Sequence, residues 1–151
     1  MDYSEKAYDK AKWHFESIEK EGLDEIQAYV HTAFFWRWIV DQNLTDKRFE
    51  EDFEDDFSAY RNGSIDALEF YRVLDGCLIG DMMNDEGNAF ASHYFDFQTG
   101  QYLRDYERAV AHDRPSIFQV TFNDETYDRI KPYIEKAYSK WKTPKAWWRF
   151  W

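Results

Sequence analysis

Apolar positions along the chain recur mostly at helical spacing, and the densest run lies between Leu23 and Asn43. On a wheel of 100° per residue, Ile26, Tyr29, Val30, Ala33, Phe34, Arg37 and Val40 share one face, the i, i+3, i+4 signature of an amphipathic helix. Phe35, Trp38 and Ile39 occupy the opposite side, so the stripe becomes a girdle and the helix must be enclosed by the rest of the chain. It is too short to span a bilayer and is interrupted by His31 and Arg37. Asp24 is the expected N-cap and Asn43 the exit.

Thr45 to Arg61 reads as a single amphipathic helix with Phe49, Phe53, Phe57 and Tyr60 in one stripe. Asn62-Gly63 stops it, and Ser64 is the expected cap of a helix through Ala67, Leu68, Phe70, Tyr71 and Leu74. A further helix begins near Asn84 and carries Ala89, Phe90, His93, Tyr94 and Phe95. Another runs through Tyr102, Leu103, Tyr106 and Val110. Asn123 or Asp124 caps the last helix, where Tyr127, Ile130, Ile134, Ala137, Tyr138 and Trp141 align, Pro132 can bend the first part and Pro144 marks the end. The segment Tyr3 to Lys20 is compatible with a short helix or an irregular arm. Only SIFQVTF, Ser116 to Phe122, alternates like a strand. The expectation is a mainly α fold: five to six helices around a central aromatic helix, with at most one or two short strands. A single domain over residues 1–142 would be followed by an aromatic tail over residues 143–151.

Composition changes this picture in one respect: aromatic residues form 21% of the chain, including seven Trp, while aliphatics are sparse. The core is therefore expected to be built of rings, whose buried N–H and O–H groups require partners. At 151 residues a single core is expected, burying roughly 70% of the unfolded surface.

Thirty acidic against nineteen basic residues give a formal charge of −11, which disfavours nucleic acid and anionic membranes and favours a basic partner. One Cys excludes an intramolecular disulfide. With no leader-like start and no membrane-length apolar run, a cytoplasmic location is the expectation.

Candidate chemistry is thin. His14, His31, His93 and His112 fall into no metal motif with Cys77, and no metal or cofactor is expected; a metal set could arise only from residues distant in sequence. Nucleophile-elbow, P-loop and dinucleotide fingerprints are missing, so no enzyme is expected. Asp81, Asp85 and Glu86 around Gly87, with His93, are the alternative: a small enzyme or metal site, set against the simpler reading of acidic residues favoured at a helix start. Arg37, on the apolar face, is expected to pair internally or stack on a ring.

The strongest chemical feature is Glu50 to Asp56, six acids in seven positions. Like charges at i, i+4 cost about 0.2–0.5 kcal/mol per pair, more concentration than solubility requires. A solvated face is the plain reading. The functional one is a docking surface for a cationic protein, and imitation of a DNA backbone uses the same charges. Partner-binding candidates are Glu50, Glu51, Glu54 and Asp55, together with Asp81, Asp85 and Glu86. The WWRFW tail either packs on the core or anchors an interface.

YDKAKWH at Tyr8 to His14, AYVHTAFFWRWIVDQNL at Ala28 to Leu44, NDEGNAFASHYFD at Asn84 to Asp96 and YLRDY at Tyr102 to Tyr106 together resemble a family of small acidic bacterial proteins. Its members look like immunity proteins of polymorphic toxin systems, including those delivered by type VI secretion. The resemblance spans about residues 3 to 142. It implies a cytoplasmic antidote, monomer or homodimer, that binds and blocks a cognate toxin with a basic surface, with no direct contact to nucleic acid or membrane. It carries over no binding residues.

Overall fold

In a computed structural model, residues 2–143 are described. The helix expected at the centre is there: α2, Gln27–Asp41, buries Ala28, Val30 through Trp36, Trp38, Ile39 and Val40. Only Arg37 and the exposed last residue, Asp41, interrupt its closed second half. Asp24 does not cap it. Its Oδ1 accepts from the Ile26 backbone N–H at 3.0 Å in the turn before, and the helix starts at Gln27 without a side-chain cap. Asn43 leaves the helix at φ 58°.

Seven further α-helices surround it among the described residues: α1 Phe15–Lys20, α3 Lys47–Asp52, α4 Glu54–Arg61, α5 Ala67–Val73, α6 Asp85–Tyr94, α7 Gln101–Tyr106 and α8 Asp124–Lys142. A π-helical turn, Glu107–Ala111, extends α7. The fold is mainly α, with more and shorter helices than the five or six expected. The principal reason lies at Phe53, where φ −116° and ψ 34° end α3 and begin α4, splitting the single helix expected over Thr45 to Arg61. Caps fix the other boundaries. Asp66, not Ser64, caps α5 by accepting from Glu69 N–H at 2.8 Å. Asn84 caps α6 and Asn123 caps α8, the latter reciprocally with Thr126. Pro132 lies within an unbroken α8.

The one small sheet among the described residues is not where alternation suggested. β1, Ala7–Lys10, pairs antiparallel with β2, Cys77–Ile79, with a bulge between Ala7 and Asp9. Residues 116–122 are irregular instead. They lie over the start of α2, where the Gln27 side-chain amide donates to the carbonyls of Phe118 and Val120. A side chain thus takes the backbone acceptors that a neighbouring strand would have used.

The core is a continuous array of rings. Phe35 packs tilted against Phe95 at 4.7 Å between ring centroids, and Trp36 meets Phe49, Phe57 and Phe70 edge-on. Contrary to expectation, the indole N–H groups of Trp36 and Trp38 and the hydroxyls of Tyr106 and Tyr127 are buried without hydrogen-bond partners among the described residues. A satisfied polar network ties β1 to α6: Tyr8 Oη donates to Asn88 Oδ1 at 2.7 Å, and Asn88 Nδ2 donates to the Gly80 and Met83 carbonyls, each at 2.9 Å. No helix of the described residues is long and apolar enough to cross a membrane. The WWRFW tail lies outside the described residues.

Candidate functional sites

Two regions carry chemistry, and the first was not legible in the sequence. The bulge in β1 turns two successive side chains, Tyr8 and Asp9, inward, leaving the Asp9 carboxylate with no solvent exposure. The 3-10 turn Ala11–His14 follows at once and swings His14 back over it. From the second turn of α2, His31 and Thr32 approach from the other side. His14 Nε2 lies 2.7 Å from Asp9 Oδ1, and the Thr32 hydroxyl donates to Oδ2 at 2.6 Å. His31 Nε2 is 3.3 Å from Oδ2, but it is misaligned for a hydrogen bond, and neither of its ring nitrogens has a partner among the described residues. A buried polar group in that state costs about 1–3 kcal/mol.

Burial opposes ionisation of Asp9, yet the His14 hydrogen bond and the two imidazoles beside the carboxylate outweigh it, holding the carboxyl well below the usual range. Phe97 and Phe118 wall the pair of imidazoles, their ring centroids 5.6–6.3 Å from both. His14 retains partial exposure, 18% of its side chain. Beside it, Trp13 and Phe97 line a cleft of about 320 Å³ that also takes in Lys6, Tyr8 and Asp96.

The second region is the acidic one. The break at Phe53 turns a convex helical surface into a notch of about 390 Å³, walled by Glu50, Glu51 and Glu54 and edged by Lys47 and Arg61, with the Arg61 guanidinium lying over the buried Phe57 ring at its base. Arg61 is engaged by Glu50 at 2.6 Å. Glu51, Glu54 and Asp55 are exposed and have no ion-pair partner among the described residues.

Asp81 and Asp85 are also exposed. A bridge from Thr45 to Met83, with Asp46 N–H donating to the Met82 carbonyl at 3.0 Å, sets their turn beside the start of α3. Glu86 is otherwise occupied, accepting from the Tyr138 hydroxyl and, at 3.3 Å, from Lys142. The Tyr138 bond first, then Lys142, lower its pKa. His93 stands in the last turn of α6 and Asp85 in the first, about 12 Å apart along the axis at 1.5 Å per residue. Asp81, Asp85, Glu86 and His93 therefore do not converge on one centre.

Arg37 stacks on Tyr127, its guanidinium carbon 3.9 Å from the ring centroid, and donates to Asp124 at 2.9 Å. It is the internally engaged cation anticipated.

Fold and sites together define a mainly helical, acidic domain with a buried aspartate–histidine cluster and an acid-walled surface notch. A family model described as "Domain of unknown function (DUF7832)" matches residues 7–120, and the chain belongs to that family. The matched span includes Asp9, His14, His31 and the whole of α3 and α4, and stops short of α8. Among curated proteins and among solved structures, nothing matches the chain.

Proposed function

We propose that the protein is a stoichiometric inhibitor that docks on a cationic protein domain through the notch between α3 and α4, as an immunity protein docks on its toxin. The observation that carries this reading is the notch itself: Glu51 and Glu54 stand on the walls of a concavity, without ionic partners among the described residues. A Lys or Arg side chain inserted there would donate charge-assisted hydrogen bonds to the carboxylates, beside the Arg61 guanidinium that already covers the buried Phe57 ring. Asp55, Asp81 and Asp85 add negative charge around it, and the formal charge of −11 extends the attraction over a longer range. The resemblance to immunity proteins points the same way. Blocking needs no reaction by the inhibitor, only coverage, with charge setting the rate of encounter and buried rings the lifetime.

The test is capture of partners from the native cells with the tagged full chain, at low and high salt, beside a variant carrying Glu51→Lys, Glu54→Lys and Asp55→Lys. The expected result is one basic partner held at equal stoichiometry, toxic when expressed alone and harmless with the unaltered chain. Equal retention by the variant, or a partner whose toxicity the chain does not relieve, would refute the reading.

A further inference from the structure

We infer that Asp9, His14 and His31 form a binding site for a divalent transition-metal ion of the zinc class. Their ligand atoms, one carboxylate oxygen and two imidazole nitrogens, all lie within 4.8 Å of one another. Tetrahedral coordination at about 2.0–2.1 Å sets ligand atoms about 3.3–3.4 Å apart, so rotation of the imidazoles must open the 2.7 Å His14–Asp9 pair and close the wider separations. A carboxylate with two imidazoles selects zinc-class ions over magnesium or calcium, which prefer oxygen alone.

A purely structural network does not account for the whole arrangement. Asp9 serves His14 and Thr32 well as an acceptor, at 2.7 and 2.6 Å. It leaves His31 buried to 1% exposure, with Nε2 turned to the carboxylate at 3.3 Å but unbonded and Nδ1 also without a partner. A metal at the centre would take the lone pair of His31 Nε2, and with it His14 Nε2 and Asp9 Oδ1. Any proton held between His14 and Asp9 would leave to solvent as the ion enters.

The surroundings suit such a site. Thr32 holds Oδ2 and so orients the carboxylate from outside the coordination sphere, the usual place for a supporting hydrogen bond. The hydroxyl of Tyr102 donates to the His31 backbone carbonyl at 2.6 Å, anchoring that residue. Three protein ligands leave a position open, and the cleft beside Trp13 and Phe97 lies next to the one partly exposed ligand, His14. None of this depends on the acidic notch or on an inhibitory role.

The experiment uses the full chain stripped with chelator and dialysed against zinc chloride at neutral pH. The expected result is one equivalent of zinc bound. Stoichiometric binding is lost in His14→Gln and weakened about 10-fold in Thr32→Val, and it is unchanged in a His93→Gln, His112→Gln double variant, which removes two exposed histidines. Should His14→Gln fail to fold, imidazole-nitrogen resonances of the unaltered chain decide: zinc must move those of His14 and His31 and leave those of His93 and His112 in place. Absence of stoichiometric zinc, or zinc held by His93 and His112, would overturn the assignment.

Discussion

Tyr102 donates its hydroxyl to the backbone carbonyl of His31 at 2.6 Å, with both residues buried and 71 positions apart in the chain. The bond pins α7 to the turn of α2 that supplies His31 and Thr32 to the cluster. Tyr102→Phe preserves the ring contacts with Phe95 and Tyr94 and removes only the donor. It should cost about 1 kcal/mol in urea unfolding, with an unchanged slope. A loss near zero would mean the bond adds nothing to the attachment.

Arg37→Lys is the sharpest test of the one cation on the enclosed half of α2. Lysine keeps the positive charge but loses the planar face stacked on Tyr127 and the fork directed at Asp124. The expected destabilisation is about 0.5–1 kcal/mol, whereas Asp124→Asn, acting on an exposed partner, should change stability less. The reverse order in thermal unfolding would show that the ion pair, not the ring, holds Arg37.

Gly76 and Gly22 have nearly the same backbone, φ 65° and 68°, in different surroundings. A Cβ at Gly76 would sit 2.6 Å from Ala11 Cβ and from the Tyr29 ring, and one at Gly22 would meet nothing. Gly22→Ala should therefore show only the conformational penalty, on the order of 1 kcal/mol. Gly76→Ala adds overpacking of about 1–3 kcal/mol beside the turn that aligns β2 with β1. Equal losses in denaturant melts would contradict the close approach.

Burial raises the pKa of Tyr71, Tyr94, Tyr102, Tyr106 and Tyr127. The folded state thus holds these protons more tightly than the unfolded chain. The stability they contribute is complete below the ordinary tyrosine value of about 10 and is lost as pH climbs above it. In an alkaline titration, the main rise in tyrosinate absorbance should coincide with loss of helical circular dichroism. Full ionisation with the helical signal intact would contradict the burial of these rings.

How much of this was legible beforehand varies by element. The girdle of α2 was plain, because 3.6-residue periodicity carried over both faces admits few solutions except enclosure. The start of α6 near Asn84 was legible as well, and the cap of α8 was narrowed to Asn123 or Asp124, of which Asn123 serves. β1 was hidden: it is four residues long, and its bulge buries neighbours Tyr8 and Asp9 together, so period-2 alternation is absent. The cluster was hidden with it. His14 lies five residues from Asp9 through a strand-to-turn reversal, and His31 is brought in by a separate helix, so no linear spacing encodes the group. The one available signal was a histidine and an arginine inside an otherwise apolar helix, and only Arg37 was read as demanding a partner. The acidic run was legible as charge. Its concavity was not, because the break at Phe53 interrupts an unbroken aromatic stripe with no Gly or Pro to announce it.

The inhibitory reading rests on charge acting through a defined notch, and the direct measurement is the association rate of the chain with its captured basic partner as a function of salt. Glu51→Lys, Glu54→Lys and Asp55→Lys combined should slow association at low salt by roughly 10- to 1000-fold and flatten its salt dependence, while circular dichroism stays that of the unaltered fold. An unchanged rate and an unchanged salt slope in that variant would contradict docking at the notch between α3 and α4.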